Sequence, residues 1–320
     1  MQERVLITGA TGFVGGWLSE EFQKNRPDAR LFGTSHSKTA DVPEGVTLLP
    51  CDITDADSVR AVVRAANPNR VVHLAGIASA AGTNAAQLRT VNADAAITLL
   101  RAVREMGNDC QVLLASSGYV YGATAPGILA KETDPLHAVG AYAESKVAME
   151  SAAEQFQRTE APVGVSLVLA RAFNHTGARQ TDAFVVPAFA RQIARIEAGL
   201  EPPVVKVGNL DALRDFLHVG DVVRAYRQLV CDTVTGSPVT VVNVASGVGV
   251  TIRHILEELV ALSAVRVAVE TDPARLRPSD LPECVGSYER LQALTGWTPR
   301  IRLADTVREI LDYFRARTAA

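Results

Sequence analysis

Apolar runs alternate with amphipathic stretches along the first half of the chain. The short runs Arg4–Thr8, Arg30–Thr34, Arg70–Leu74, Gln111–Ser116 and Val163–Ala170 have the length and boundaries of buried strands. Between them lie Trp17–Lys24, Asp57–Ala66 and Ala93–Met106, where apolar residues return every three or four positions, as on one helix face. Such alternation predicts an α/β fold with a parallel sheet covered by helices on both faces. After Arg171 the pattern loosens. Pro187, Pro202, Pro203, Pro273, Pro278 and Pro282 interrupt it, although Val239–Ala245 reads as one more buried strand. A main domain is therefore expected over residues 1–173. A smaller, interleaved lobe is expected over 174–320, with about 212–246 returning to the main domain.

Composition narrows the class without naming a chemistry. A chain of 320 residues, 48% of them hydrophobic, has ample material for a core. With 32 basic and 35 acidic residues the formal charge is -3, which gives no reason to expect nucleic acid or an anionic membrane as partner. Cys51, Cys110, Cys231 and Cys284 are far apart and form no C-x-x-C pair. That suits scattered thiols in a reducing compartment, and no metal is expected. No basic-then-apolar leader and no apolar run of membrane-spanning length is present, so a cytoplasmic location is expected.

Chemistry enters with the glycines. The segment V-L-I-T-G-A-T-G-F-V-G-G puts Gly9, Gly12 and Gly15 between a strand and a helix. Gly9 permits the tight turn, Gly12 lets backbone amides approach a pyrophosphate, and Gly15 lets the helix pack on the strand. The fold class is accordingly a Rossmann-like, doubly wound sheet, with Phe13 and Val14 opening the helix beside the cofactor. The second strand ends in G-T-S-H-S-K. Where an NAD site carries an acid for the ribose hydroxyls, this chain has Ser35 and His36, with Lys38 beyond. No carboxylate repels a 2′-phosphate there, so NADP(H) is expected, with NAD(H) as the alternative. Asp52 and Ile53 follow as an adenine contact. The strand end Leu74, Ala75 and Gly76 is expected to flank the pyrophosphate and ribose, and Asn92 to open the next helix.

Tyr142 and Lys146 stand four apart in A-Y-A-E-S-K and so share one helix face. A lysine ammonium favours a neighbouring phenolate, and the hydroxyl of Ser117 can hold a substrate oxygen. The three together can move a proton on and off a sugar hydroxyl while a nicotinamide carries the hydride.

G-x-x-G-x-x-G, C-D-I-x-D, H-L-A-G, S-S-G-Y-V-Y-G and Y-x-x-x-K, in that order, resemble the nucleotide-sugar branch of the extended short-chain dehydrogenase/reductases. The resemblance covers nearly the whole chain. It implies that Ser117, Tyr142 and Lys146 are catalytic, with Tyr142 the acid/base and Lys146 also on the nicotinamide ribose. Further segments, R-A-F-N-H-T-G-A-R-Q, F-V-V-P-A-F-A-R-Q-I, G-N-L-D-A-L-R-D-F-L-H-V-G-D-V and R-P-S-D, resemble the GDP-mannose 4,6-dehydratases and GDP-6-deoxy-mannose reductases. That implies a GDP-4-keto-6-deoxy sugar as partner. Ser117, Gly118 and Asn174 would meet the sugar end and Val185 the guanine. Arg191, Arg214 and Arg277 would meet phosphate or base and Asp280 the ribose, with Asn209 in the same set.

Dehydratases of this resemblance need a carboxylate two residues after the strand-end hydroxyl. Tyr119 stands there, and an ordinary phenol is a far weaker base. The expected reaction is therefore reduction of a C4 ketone, giving GDP-D-rhamnose. A nucleotide-sugar 4-epimerase or 4,6-dehydratase of the same superfamily and a cofactor-sensing binding protein are the competing readings. His175 and His218 read as structural. The helices Ala93–Met106 and Ala143–Phe156 resemble those that pair in dimeric relatives, so a homodimer is expected.

Overall fold

The computed structural model describes residues 2–36, 42–78, 82–160, 164–233, 238–276 and 281–319. In chain order the first half runs β1 (Arg4–Thr8), α1 (Phe13–Asn25), β2 (Arg30–Ser35), β3 (Val46–Pro50), α2 (Ala56–Ala66) and β4 (Arg70–His73). Then come α3 (Ala85–Arg89), α4 (Ala95–Glu105), β5 (Cys110–Ser117), α5 (Ala141–Thr159) and β6 (Val165–Ala172). A π-helical turn, Thr90–Asp94, joins α3 to α4, and a 3-10 turn, Gly118–Tyr121, follows β5.

The second half adds β7 (Asn174–Thr176), α6 (Val185–Glu197), β8 (Val204–Val207), β9 (Leu213–His218), α7 (Val219–Cys231) and β10 (Val239–Val244). It ends with β11 (Gly249–Thr251), α8 (Ile252–Ala261), β12 (Ala268–Thr271), β13 (Glu283–Cys284), α9 (Glu289–Thr295) and α10 (Leu303–Ala319).

Seven strands form one sheet in the order β10-β6-β5-β4-β1-β2-β3, and all neighbours are parallel. Both faces are covered, so central strands are apolar at consecutive positions; Val5, Leu6 and Ile7 are all fully buried. One face packs on α1 and α7 through Leu18, Phe22, Val222 and Tyr226. The other packs on α2, α4 and α5 through Val59, Leu99, Leu100, Met149 and Phe156. Strand order reverses between β1 and β4, so the loops leaving them diverge and open a crevice at their carboxyl ends.

A smaller layer is built around β9, which pairs with β7 and β13 in parallel and with β11 antiparallel. The strands β8 and β12 form a separate pair. The helices α6, α8 and α10 bury Phe189, Ile193, Ile255, Leu259 and Ile310 together.

Several boundaries differ from those the sequence predicts. The strand expected at Val163–Ala170 lies at Val165–Ala172, and residue 163 is outside the described set. The strand β3 was not foreseen, because its residues are all partly or fully exposed and carry no buried run. The helix expected at Ala93–Met106 starts a π turn earlier. Of the segment 212–246, residues 213–218 stay in the small sheet, while α7, packed against α1, and β10 join the main layer.

Candidate active site

The crevice begins where β1 meets β4. Thr8 lies opposite His73, and its Oγ1 accepts the amides of Leu74 and Ala75, both at 3.1 Å. Its own proton then goes to Nδ1 of His73, 2.8 Å away. This leaves a buried Nε2–H that finds no partner among the described residues. Burial drives the His73 pKa down to about 3, and the nearby Lys146 charge adds to that. The two strand ends are thereby lashed together.

Gly9 follows with φ of 71°, a backbone state open to glycine. A Cβ on Gly15 would lie 2.3 Å from the carbonyl oxygen of Gly9, so α1 can approach its own turn only with glycine there. At its N-terminus, Gly12, α1 has neither a side-chain cap nor an acidic residue in the first turn. That arrangement suits a phosphate. Phe13 and Val14 are half-buried, and Phe13 stacks on His175 with centroids 6.5 Å apart.

At the end of β2 the Ser35 hydroxyl is buried and accepts from Thr11 Oγ1 at 3.3 Å, while His36 is exposed. Lys38 lies outside the described residues. Asp52 is exposed, and its Oδ1 accepts from the Thr54 amide (2.9 Å) and hydroxyl (2.7 Å). Those bonds hold its carboxyl below the usual range, with help from His36. Beside it, Ile53 is half-buried. The glycine cradle, the uncapped helix and the acid-free strand end fit a dinucleotide carrying an extra phosphate.

Asn92 departs from expectation. It does not open a helix but lies buried within the π turn. Its Oδ1 accepts from Ile77 N at 2.8 Å, and its Nδ2 donates to Ile77 O and to Ser145 Oγ at 3.1 and 3.0 Å. With both amide hydrogens used, it shapes the loop Leu74–Gly76 rather than donating to a cofactor.

Ser117, Tyr142 and Lys146 come together. Ser117 ends β5, accepts from the Tyr119 amide at 3.2 Å, and is hydrogen-bonded to Tyr142. Lys146 is buried one turn along α5; its Nζ donates to Ala115 O at 2.8 Å and lies 6.0 Å from the Tyr142 ring centre. Lysine was expected to lower the tyrosine pKa. Burial outweighs it and pushes Tyr142 up to about 12, against the Ser117 bond, while the ammonium donates to the β5 carbonyl of Ala115. Burial also pulls Lys146 down to about 8, against the negative charge of Glu150. The phenol is thus a proton donor at neutral pH, beside a lysine that is still mostly charged.

The substrate-side residues scatter more. Asn174 is half-buried on β7 opposite Phe216, and Val185 is half-buried at the start of α6. Arg191 on α6 pairs with Asp182 at 3.0 Å in partly exposed surroundings. Asn209 is exposed, and its Oδ1 accepts from Asp211 N at 2.9 Å. Gly118 is buried, and a Cβ there would meet the Phe173 ring at 2.8 Å, so it makes room more than contact.

Arg214 was expected at phosphate or base, but it is buried. Its Nη1 donates to Leu213 O (3.0 Å) and Leu281 O (2.6 Å), and its Nε reaches the Tyr119 hydroxyl at 3.4 Å. The backbone carbonyls hold it against the floor of the site. Arg277 and Asp280 lie outside the described residues. His218 caps α7 through Nδ1 and bonds Glu309 through Nε2 at 3.1 Å, and His175 contacts Phe173 O at 3.0 Å. Sequence reasoning missed Glu150, although it stands one turn past Lys146 on the same face. It also missed Arg171, Trp17 and the Tyr119–Arg214 contact, for which no local spacing gives a signal.

Known proteins resemble this chain along its length. A profile of the GDP-mannose 4,6 dehydratase family matches residues 6–310. Over 99% of both chains, the sequence is 34% identical to a GDP-6-deoxy-D-mannose reductase of Pseudomonas aeruginosa. A GDP-6-deoxy-D-talose 4-dehydrogenase of Aggregatibacter actinomycetemcomitans is 26% identical over 92% of this chain and 91% of the relative. The solved structure of RMD from Pseudomonas aeruginosa complexed with NADPH superposes with a TM-score of 0.82 at 33% identity, covering 99% of this chain and 100% of that one. A Thermus thermophilus UDP-glucose 4-epimerase complexed with NAD gives 0.84 at 29% identity, covering 98% and 99%.

Proposed function

Because the chain belongs to the GDP-mannose 4,6 dehydratase family, we propose that it is that family's 4-keto reductase. It reduces the C4 ketone of GDP-4-dehydro-6-deoxy-D-mannose to GDP-D-rhamnose with NADPH. The observation that carries this reading is Tyr119, a phenol in contact with Arg214, at the place where dehydration calls for a carboxylate. The likeness to a GDP-6-deoxy-D-mannose reductase along the full chain supports it.

The turn Gly9–Gly15, with Phe13 and Val14, would hold the pyrophosphate, and Ser35 and His36 the 2′-phosphate. Asp52 and Ile53 would meet the adenine, and Leu74–Gly76 the ribose side. When bound, the reduced nicotinamide supplies the hydride that adds to C4. Tyr142, protonated at neutral pH, gives its phenolic proton to the carbonyl oxygen, which becomes the C4 hydroxyl. The phenolate left behind accepts from Ser117, and the Lys146 ammonium lowers its energy electrostatically. Ser117 also orients the ketone before transfer. Asn174, Val185, Arg191 and Asn209 line the approach for the nucleotide diphosphate, with Arg277 and Asp280 as further contacts. Arg214 acts through Tyr119.

The protein works in the cytoplasm as a homodimer joined through α4 and α5. No helix among the described residues is long and apolar enough to cross a membrane, and sedimentation velocity would test for the dimer.

The deciding experiment follows NADPH absorbance on mixing protein with GDP-4-dehydro-6-deoxy-D-mannose, with a UDP-keto sugar as control. Oxidation with the GDP sugar alone is expected, and product NMR then reads the C4 configuration. No oxidation with the GDP sugar would overturn the reading.

A further inference from the structure

Below the triad, α5 carries a second buried charge. Glu150 lies one turn past Lys146 and is buried. Its Oε1 accepts from Ser116 Oγ at 2.5 Å and from Arg171 Nε at 3.0 Å, and its Oε2 accepts from Arg171 Nη2 at 2.6 Å. Arg171, on β6, also donates to the Tyr121 hydroxyl at 2.8 Å, which donates in turn to Asn243 Oδ1 at 2.7 Å. Ser116, Arg171, Tyr121 and Asn243 are all buried.

The place of Ser116 gives this network its meaning. On one side stands Ala115, whose carbonyl holds Lys146. On the other stands Ser117, which is bonded to Tyr142. One carboxylate therefore anchors the strand segment from which both the lysine and the tyrosine are held. Replacing a buried ion pair by apolar groups is often neutral or stabilising, so stability alone does not account for a charge pair at this spot.

The geometry points to Glu150, clamped by Arg171, as a positioning residue for the reduction proposed above, on which this inference rests. It fixes the Ala115 carbonyl and the Ser117 hydroxyl through Ser116, and it keeps the buried Lys146 charged. Lys146 is faced by Tyr142 and Glu150 from α5 and by Ala115 from β5. His73 faces it from β4 and is neutral under working conditions. Tyr119 acts on Tyr142, and Tyr142 acts in turn on the buried Tyr226 of α7. Among these groups Glu150 is the anion, and it opposes the loss of the Lys146 proton.

Glu150→Gln alone strands a buried guanidinium and can unfold the protein. The test therefore uses the double variant Glu150→Gln/Arg171→Gln, with Glu150→Asp as the conservative rescue. The chain has five lysines, so Lys146 can be titrated by 15Nζ NMR, its signal assigned with Lys146→Arg. In the double variant its midpoint should fall by about one pH unit or more, and the alkaline limb of kcat should move with it at unchanged KM. Glu150→Asp should restore both. Ser116→Ala, which leaves the ion pair whole, should lower kcat about tenfold through misplacement of the strand end. An unmoved Lys146 midpoint, or a Ser116→Ala variant at wild-type kcat, would overturn the inference. The NMR titration needs neither substrate nor cofactor, so a wild-type protein that fails to oxidise NADPH would count separately, against the reductase reading.

Discussion

Arg179 lays its guanidinium over the indole of Trp17, 4.6 Å from the ring centre, while its own backbone sits at φ 75°. The same guanidinium bonds both carboxylate oxygens of Glu20, at 2.6 and 2.9 Å, and Trp17 Nε1 donates to Ala178 O at 3.1 Å. The loop after β7 is thus fastened to the cofactor-side helix α1. Arg179→Gly would relieve a left-handed backbone worth roughly 1–2 kcal/mol. It would lose a cation–π contact of roughly 0.5–1 kcal/mol and a partly exposed ion pair of about 1 kcal/mol or less. These terms nearly cancel, so Tm should stay within about 4 °C of wild type, while KM for the GDP sugar rises severalfold as the loop loses its anchor. A large drop in Tm at unchanged KM would contradict this.

Tyr142→Phe should lower kcat by about 10²–10⁴-fold, the usual worth of a positioned proton donor. GDP-sugar binding should be largely kept, since the ring remains. Calorimetric titration beside steady-state kinetics separates the two. A rate near wild type would remove Tyr142 from the mechanism.

Ser35→Asp places a carboxylate where the chain now has a buried hydroxyl bonded to Thr11. A charge there repels a 2′-phosphate and can accept from a free ribose hydroxyl. The ratio of kcat/KM with NADPH to that with NADH should fall by about tenfold or more. A constant ratio would place cofactor selection elsewhere on the chain.

His73 makes stability pH-dependent. Its folded pKa, about 3, lies below the unfolded value of about 6.5. The stability it gives is therefore complete above pH 6.5 and is lost as pH falls from there toward 3. Between pH 7 and 5 the loss is about 2 kcal/mol. His73→Asn removes the titrating ring. In urea unfolding, the stability gap between wild type and variant should narrow by that amount over the same interval, and a constant gap would mean that His73 does not titrate this way. Asp215, raised to about 6 by burial against bonds from Ser246, Gly247 and Gly286, acts in the opposite sense but is common to both proteins.

What the sequence determined by itself was local. Gly9, Gly12 and Gly15 follow a strand and precede a helix, and Tyr142 and Lys146 are one turn apart, because turn chemistry and helical periodicity are properties of neighbouring residues. Local patterns of this kind made the doubly wound sheet, the Tyr142–Lys146 pair and, in G-T-S-H-S-K, the acid-free end of β2 legible, and the family resemblance added Ser117. Only the tertiary structure decided where the polar groups point. It turned Lys146 toward the Ala115 carbonyl, committed the Asn92 amide to Ile77 and Ser145, and sank Arg214 among backbone oxygens. It also closed Glu150 on Arg171, and Arg179 on Trp17. Each of these depends on which strand lies beside which. Burial and hydrogen-bond partners arise between segments distant along the chain, and no spacing within one segment encodes them.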